Sequence, residues 1–478
     1  MALQAGLKRN SVGLPGAIIM SAAIMGPAVS TFFNPQFSTP FSGPATPFVY
    51  FVCLIAILIT ASGIMEMSAV TPSAGSFYTY VAQGLGPQAG FITGGLMFMA
   101  YALLPPIEIA LIGSYLQQTL QQEFGINIPW ILISLVPWAL VTFLALEGVQ
   151  ASLRTAIVLF LVEVAVVMVM ALIVVAAGGA HGLTVRPMLP SASPHGVQGL
   201  MVGAVFAALS FVGFEGATTL GDEVRNPHRN VPLAVALSTI VVGVIYTFCV
   251  WAEVVGLGNE KINALTGAST PWNDLAHMYA PWMTPLIILA SVSSMFAVSV
   301  NSNTGIVRIL YTMGRERLLP DFLAYINPKR NTPSNAVLFQ SAFSLILVFG
   351  VGAVSGGLSD PSGGSNVYGF LGFLLTLAIL IVYVLADMAA IVYFMRRGSR
   401  KFVRHVLLPV AGALLMTGLF VAQLIENTTA PYTWMPWIIL AWLVVLGAGT
   451  FWLAVNRPEI LSKAGAVLGS EDPAKLGG

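Results

Sequence analysis

Apolar residues gather into twelve stretches separated by polar connections. They fall at about 13–33, 44–66, 88–119, 129–148, 154–178, 197–220, 232–256, 283–312, 335–354, 366–394, 404–425 and 434–455, each close to the ~20 residues that carry a helix across ~30 Å of hydrocarbon. The pattern predicts twelve membrane-crossing helices. Two of them are poor continuous helices. The first contains Ser21-Ala22-Ala23-Ile24-Met25-Gly26-Pro27, and the sixth contains Ser210-Phe211-Val212-Gly213-Phe214-Glu215-Gly216. They stand five segments apart, as the opening members of two five-helix halves would. Interrupted helices in matching positions of two halves point to a transporter binding site near mid-membrane. Small residues that only let helices pack closely would leave the same trace.

Composition agrees. The chain is 57% hydrophobic and 8% charged, against ~25% charged in soluble proteins. So few charges cannot cover a water-facing surface, so most of the surface meets lipid. The net charge of +1 gives no reason to expect nucleic acid. Cys53 and Cys249 both lie inside apolar runs, so no structural disulfide and no cysteine metal site are expected. The first apolar stretch is too rich in polar, Gly and Pro residues for a cleaved signal and is read as a spanning helix. With the N-terminus placed in the cytoplasm, all of the 20 Lys and Arg residues except Arg186 and Lys261 fall inside. The positive-inside rule therefore supports both the orientation and the helix count, with both termini cytoplasmic and the protein in the cell membrane.

Several stretches resemble the amino acid–polyamine–organocation superfamily. Pro72-Ser73-Ala74-Gly75-Ser76-Phe77-Tyr78 followed by Gly84-Leu85-Gly86-Pro87 is similar to its loop after the second helix. Phe211-Val212-Gly213-Phe214-Glu215, then Asp222-Glu223-Val224-Arg225-Asn226-Pro227 through Pro232, resembles its sixth-helix region. Arg308, Gly314-Arg315-Glu316-Arg317-Leu318-Leu319-Pro320 and Thr332-Pro333 resemble its motif after the eighth helix. The resemblance implies an all-α, leucine-transporter-like fold with a 5+5 inverted repeat and two accessory C-terminal helices. On that reading residues 1–12 form a cytoplasmic N-terminus and 13–394 the transport core, with repeats 13–178 and 197–394. The accessory helices then occupy 404–455 and a cytoplasmic tail 456–478. In the first helix the family pattern places glycines on both sides of a hydroxyl residue. Here Met20 and Ala22 flank Ser21, which counts against an ordinary α-amino acid as substrate.

A broken helix offers free N–H groups where its second half starts and free carbonyls where its first half ends. With the resemblance, this makes Ser21, Ala22 and Ala23 candidates to bind a carboxylate through their amides. Ser210, Phe211 and Val212 become candidates to bind an ammonium through their carbonyls, with Phe211 as an aromatic cover or simply as packing. Acidic residues in spans are costly and are functional candidates by default. Glu108 follows Pro105-Pro106 in the third span and suits a cationic group on the substrate. Asn301 and Asn303 lie in the eighth span, facing the cavity or bonding neighbouring helices. Glu163 stands where many relatives have a lysine; a carboxyl there would bind a proton or attract a cation. Glu215, after the second break, is a proton site or a structural acceptor. Glu147 and Glu253 are placed near helix ends, in reach of water, and Asp387 near the basic cluster Arg396–Arg404, as an anchor or a gate.

These features predict a secondary transporter, symporter or exchanger, for amino acids or related amines, with organocations and polyamines as the alternative. Interior acids without interior Lys or Arg lean toward an amine-bearing solute or toward proton coupling. No zinc-protease motif, nucleophile elbow or phosphate loop appears, which argues against an enzyme and against direct ATP drive. No pore-lining charge ring argues for a channel. No cofactor is expected. No cysteine falls in the connection at about 120–128, where relatives with a disulfide-linked partner subunit carry one, so no such partner is expected either.

Overall fold

The structure, a computed structural model, describes residues 12–72, 75–147, 153–220, 224–265, 269–315, 317–330, 332–398, 401–425 and 430–462. Lys8, Arg9, Ser73, Ala74, Asp222, Glu223, Glu316, Arg400, Lys463 and Lys475 lie outside the described residues, as does the Arg154 side chain. Helices dominate; two isolated bridges, Val12–Val224 and Asn327–Thr332, are the β-pairings among the described residues.

The first span is built from three pieces: α1 (Leu14–Ile24), α2 (Pro27–Phe32) and α3 (Asn34–Ser42). It is followed by α4 (Thr46–Val70), a short α5 (Ser76–Leu85), α6 (Pro87–Phe124), α7 (Trp130–Glu147) and α8 (Leu153–Ala176). The second half comprises α9 (Gly196–Phe211) with a 3-10 turn over Phe214–Leu220, α10 (Pro227–Asn263), a short α11 (Pro271–Tyr279), α12 (Thr284–Arg315), α13 (Ser334–Ser355) and α14 (Pro361–Arg396). A π-turn over Val403–Leu407 leads into α15 (Leu408–Ile425), and α16 (Met435–Asn456) is the last span. Ten described stretches are long and apolar enough to cross a membrane, and the apolar Leu14–Ile24 and Phe160–Ala176 are shorter.

The reason these helices need lipid is visible on α7. Leu132, Val136, Leu140 and Phe143 form one helical stripe and are exposed, while Ile131, Ser134, Pro137 and Val141 on another face are buried. Apolar residues on the outside as well as the inside suit a hydrocarbon solvent.

The helices pack in matched pairs. Contacts of α1 with α10 and α8 are mirrored by contacts of α9 with α4 and α14. Those of α10 with α8, α6 with α7 and α12 with α7 are mirrored by α4 with α14, α12 with α13 and α6 with α13. Each pair maps onto its counterpart when every span is advanced by five. Five is odd, so the second half crosses the membrane in the opposite sense. This is the inverted duplication expected from the sequence.

Three local expectations differ. The stretches holding α5 and α11 were read as connections, yet each forms a short helix. The seventh span, read as ending near 256, continues as helix to Asn263, with Gly258 the one non-helical residue inside it. Glu253 is therefore interior, only 1% exposed, and does not reach water. Glu147, by contrast, sits at the end of α7 and pairs with Arg330 at 3.0 Å on the surface.

Candidate functional site

The first break falls at Met25-Gly26, at the far end of the Ser21–Pro27 stretch and about one turn beyond the Ser21, Ala22 and Ala23 amides expected to be free. Gly26 adopts φ +57°, and Pro27 opens α2 without an N–H to give. A left-handed residue followed by proline ends a helix on steric and hydrogen-bonding grounds. Ser21, Ala22 and Ala23 consequently lie inside intact α1 and are buried. Their amides belong to the helical ladder. What Ser21 presents instead is its hydroxyl, which accepts from the Ala217 N–H at 2.7 Å.

The second break falls where expected. The α9 helix ends at Phe211, and Gly213 adopts φ +105°. A Cβ at Gly213 would overlap the Ile24 side chain, and one at Gly216 would lie 2.6 Å from Ile24 Cδ1. The two breaks thus press on each other. The Gly213 N–H donates to Glu215 Oε2 at 3.2 Å, Tyr101 donates to Glu215 Oε1, and Tyr383 donates to Oε2 at 3.4 Å. Glu215 is fully buried and ties the break to α6 and α14.

Between the breaks sits a polar centre. Asn34 Nδ2 donates to Ser210 Oγ at 2.8 Å, and Tyr368 donates to Asn34 Oδ1 at 2.5 Å. Tyr50 lies 3.0 Å from Ser210 Oγ and donates to the Ser30 carbonyl at 3.2 Å. The Met25 carbonyl, at the end of α1, accepts from Ser30 Oγ and from Tyr246, both at 2.7 Å. Six pieces therefore meet within hydrogen-bonding reach: both halves of the first span, α4, α9, α10 and α14.

Glu163 is 2% exposed. Its carboxyl is hydrogen bonded to the Ser294 hydroxyl and the Ala28 N–H, while the neighbouring Val29 N–H donates to Ser294 Oγ at 3.3 Å. It therefore sits at the first break, at the start of α2. Glu108 is 2% exposed, and its Oε2 has no partner among the described residues. Phe211 is fully buried, its ring edge-on to Tyr246 with centroids 5.5 Å apart. Asn301 is half-buried on α12, with no hydrogen bond to this centre among the described residues; Asn303 is buried at 4%.

Sequence reasoning missed Ser30, Asn34, Tyr50, Tyr246 and Tyr368. A signal was available: Ser30, Thr31, Asn34, Gln36, Ser38, Thr39 and Ser42 are all polar, all buried, and all on the second half of the first span. It also missed Trp272. This α11 residue donates its indole N–H to the Thr31 carbonyl at 3.0 Å and to Glu253 Oε2 at 3.1 Å, with its ring 4.5 Å from that of Phe32. Beside it Tyr115 meets Phe33 edge-on at 5.1 Å and donates to Asn273 at 2.9 Å. The α11 helix is thereby clasped onto α2. Among the described residues no cluster of His, Cys, Asp or Glu could hold a metal ion.

A family model described as amino acid permease matches residues 13–448. The chain is 27% identical over 350 residues to the low-affinity putrescine importer PlaP of Escherichia coli strain K12, covering 71% of this chain and 75% of the relative. It is 25% identical over 332 residues to the branched-chain amino acid permease BcaP of Lactococcus lactis subsp. cremoris, covering 65% of this chain and 70% of the relative. It is 24% identical over 326 residues to the chloroplastic cationic amino acid transporter 7 of Arabidopsis thaliana, covering 64% and 55%.

Proposed function

We propose that this chain, which belongs to the amino acid permease family, is a proton-coupled secondary transporter of small nitrogen-bearing solutes, working by alternating access. It is a multi-pass membrane protein. Its relatives are transporters rather than enzymes, and by their names they carry putrescine, branched-chain amino acids or cationic amino acids. The observation that carries the reading is the convergence of two helix breaks on Ser30, Asn34 and Ser210. The substrate ammonium lies over the carbonyls of Ser210, Phe211 and Val212, and the unpartnered oxygen of Glu108 receives a second positive centre. Both termini face the cytoplasm, a reading that the distribution of Lys and Arg supports.

Between amino acids and amines, one feature favours amines. A substrate carboxylate would need free amides at the first break. Those of Ser21 to Ala23 lie within α1, and the Ala28 N–H already serves Glu163. An amine without a carboxylate displaces neither.

Glu163 is the coupling residue. No Lys or Arg lies in the middle of any span, and Glu163 sits at the joint between the halves of the first span. Alternating access would expose it to one side and then the other, so a proton taken up on one side is released on the other. Glu163→Gln keeps the shape and cannot carry that proton. In proteoliposomes this variant should retain substrate exchange, which moves no net proton, and lose uphill uptake driven by a pH gradient. Uphill uptake with the wild-type pH profile would make Glu163 structural and move the proton site to Glu215.

A further inference from the structure

Asp387 plays no part in the site above. It lies in the half of α14 nearest the basic cluster, fully buried, and neither carboxyl oxygen has a hydrogen-bond partner among the described residues. The space it fills is made by glycines on two other helices. A Cβ at Gly63 on α4 would overlap Asp387 Oδ1, and a Cβ at Gly412 on α15 would overlap Oδ2. That same Gly412 Cβ would lie 3.0 Å from Thr60 Oγ1, a second buried atom without a partner. Carboxyl and hydroxyl border the same space where α4, α14 and α15 meet, without a hydrogen bond between them.

The neighbouring charges are engaged elsewhere. Arg396 donates to the Gly84 carbonyl at 3.3 Å, and Arg397 lies over the Tyr393 ring at 4.4 Å. Glu66, one turn from Gly63 on α4, faces His405 at 3.3 Å and Arg404 at 3.8 Å. Tyr383, one turn along α14, is turned toward Glu215, and Tyr80 on α5 toward Thr218. Glu108 on α6 lies near Tyr368, at the other end of α14. The spans of α9, α13, α15 and α16 carry no charged residue.

Three oxygens with glycine backbone on both sides do not suit a hard metal cation, which takes ~6–8 oxygen ligands. A proton needs one acceptor. We propose that Asp387 is a proton-binding site, its carboxyl carrying a proton that it donates to Thr60 Oγ1 and so joining the transport core to α15. An ionised carboxylate here would have at most the Thr60 hydroxyl as a donor, too little to offset its burial, so binding the proton and seating α15 are one event. Raising the pH removes the proton and loosens the seam.

The test compares purified full-length wild type with Asp387→Asn and Thr60→Val in lipid nanodiscs. In infrared difference spectra at neutral pH, Asp387→Asn should lose one protonated-carboxyl C=O band. Thr60→Val should move that band to higher frequency, because its hydrogen bond is gone. The melting temperature of the wild type should fall as the pH is raised, and that of Asp387→Asn should fall less. Loss of carboxylate bands alone would show an ionised Asp387 and overturn the proposal, as would identical pH dependence in the two proteins. If Asp387→Asn does not fold, Thr60→Val decides by itself: an unshifted band overturns the proposal. Sodium that stabilises the wild type but not Asp387→Asn would make this a cation site, and the proposal would again be wrong.

Discussion

Phe211 shows how one residue can answer to two demands. It belongs to the second break, yet its ring is packed edge-on against Tyr246 and beside Gly243, where a Cβ would lie 2.9 Å from its Cε1. Removing a buried phenyl ring costs about 3–5 kcal/mol, so Phe211→Ala should lower the melting temperature as well as uptake. Phe211→Leu separates the two roles, since it keeps most of the apolar volume and loses the ring. It should melt within a few degrees of wild type and transport several-fold more slowly. Normal uptake by Phe211→Leu would leave the residue as packing only. The same double demand explains Ser21. The motif proposes its amide for the substrate, whereas the structure keeps that amide within α1 and turns the hydroxyl to accept from the Ala217 N–H.

At the scale of elements, the α11–α2 clasp invites a similar separation. Trp272→Phe keeps a ring against Phe32 and removes the N–H that reaches Thr31 and Glu253. That one shared N–H contributes about 1 kcal/mol, so its loss should shift the closed-to-open ratio of this side about five-fold. A single cysteine at Ser30, in a background without Cys53 and Cys249, should then react faster with an impermeant thiol reagent applied from the α11 side. Unchanged labelling would mean that the clasp does not gate. Most spans were legible to within about five residues because a helix in lipid must be long and apolar, but the first, expected to end near 33, runs on to Ser42 and the seventh to Asn263. The short helices α5 and α11 were not, because nine or ten residues of mixed polarity carry no such length signal. The free amides of the first break were expected one turn too early because the motif drew attention to Ser21, while the backbone is decided by Gly26 and Pro27. The burial of Glu253 could not be read at all, since it depends on a helix folding over it from further along the chain.

For the molecule as a whole, the matched packing of α1–α8 and α9–α14 says that one five-helix plan is used twice in opposite senses. The two interrupted helices five spans apart pointed to it, and the resemblance implied its inverted form. The duplication has a consequence for biogenesis. One plan inserted both ways up needs opposite instructions in its two copies, and the charges supply them. With both termini in the cytoplasm, as proposed, the inward Lys and Arg of the first half precede its first helix, at Lys8 and Arg9, and separate the fourth from the fifth, at Arg154. In the second half they occupy the complementary connections: Arg225 and Arg229 after its first helix, Arg315 to Arg330 after its third, and Arg396 onward after its fifth. Synthesised as two separate polypeptides, the halves should therefore insert in opposite orientations without help from each other. A reporter active only in the cytoplasm, fused after residue 10 of the first half and ahead of residue 197 of the second, should be on in one and off in the other. Moving the charges of one half into the other's connections should turn that half over.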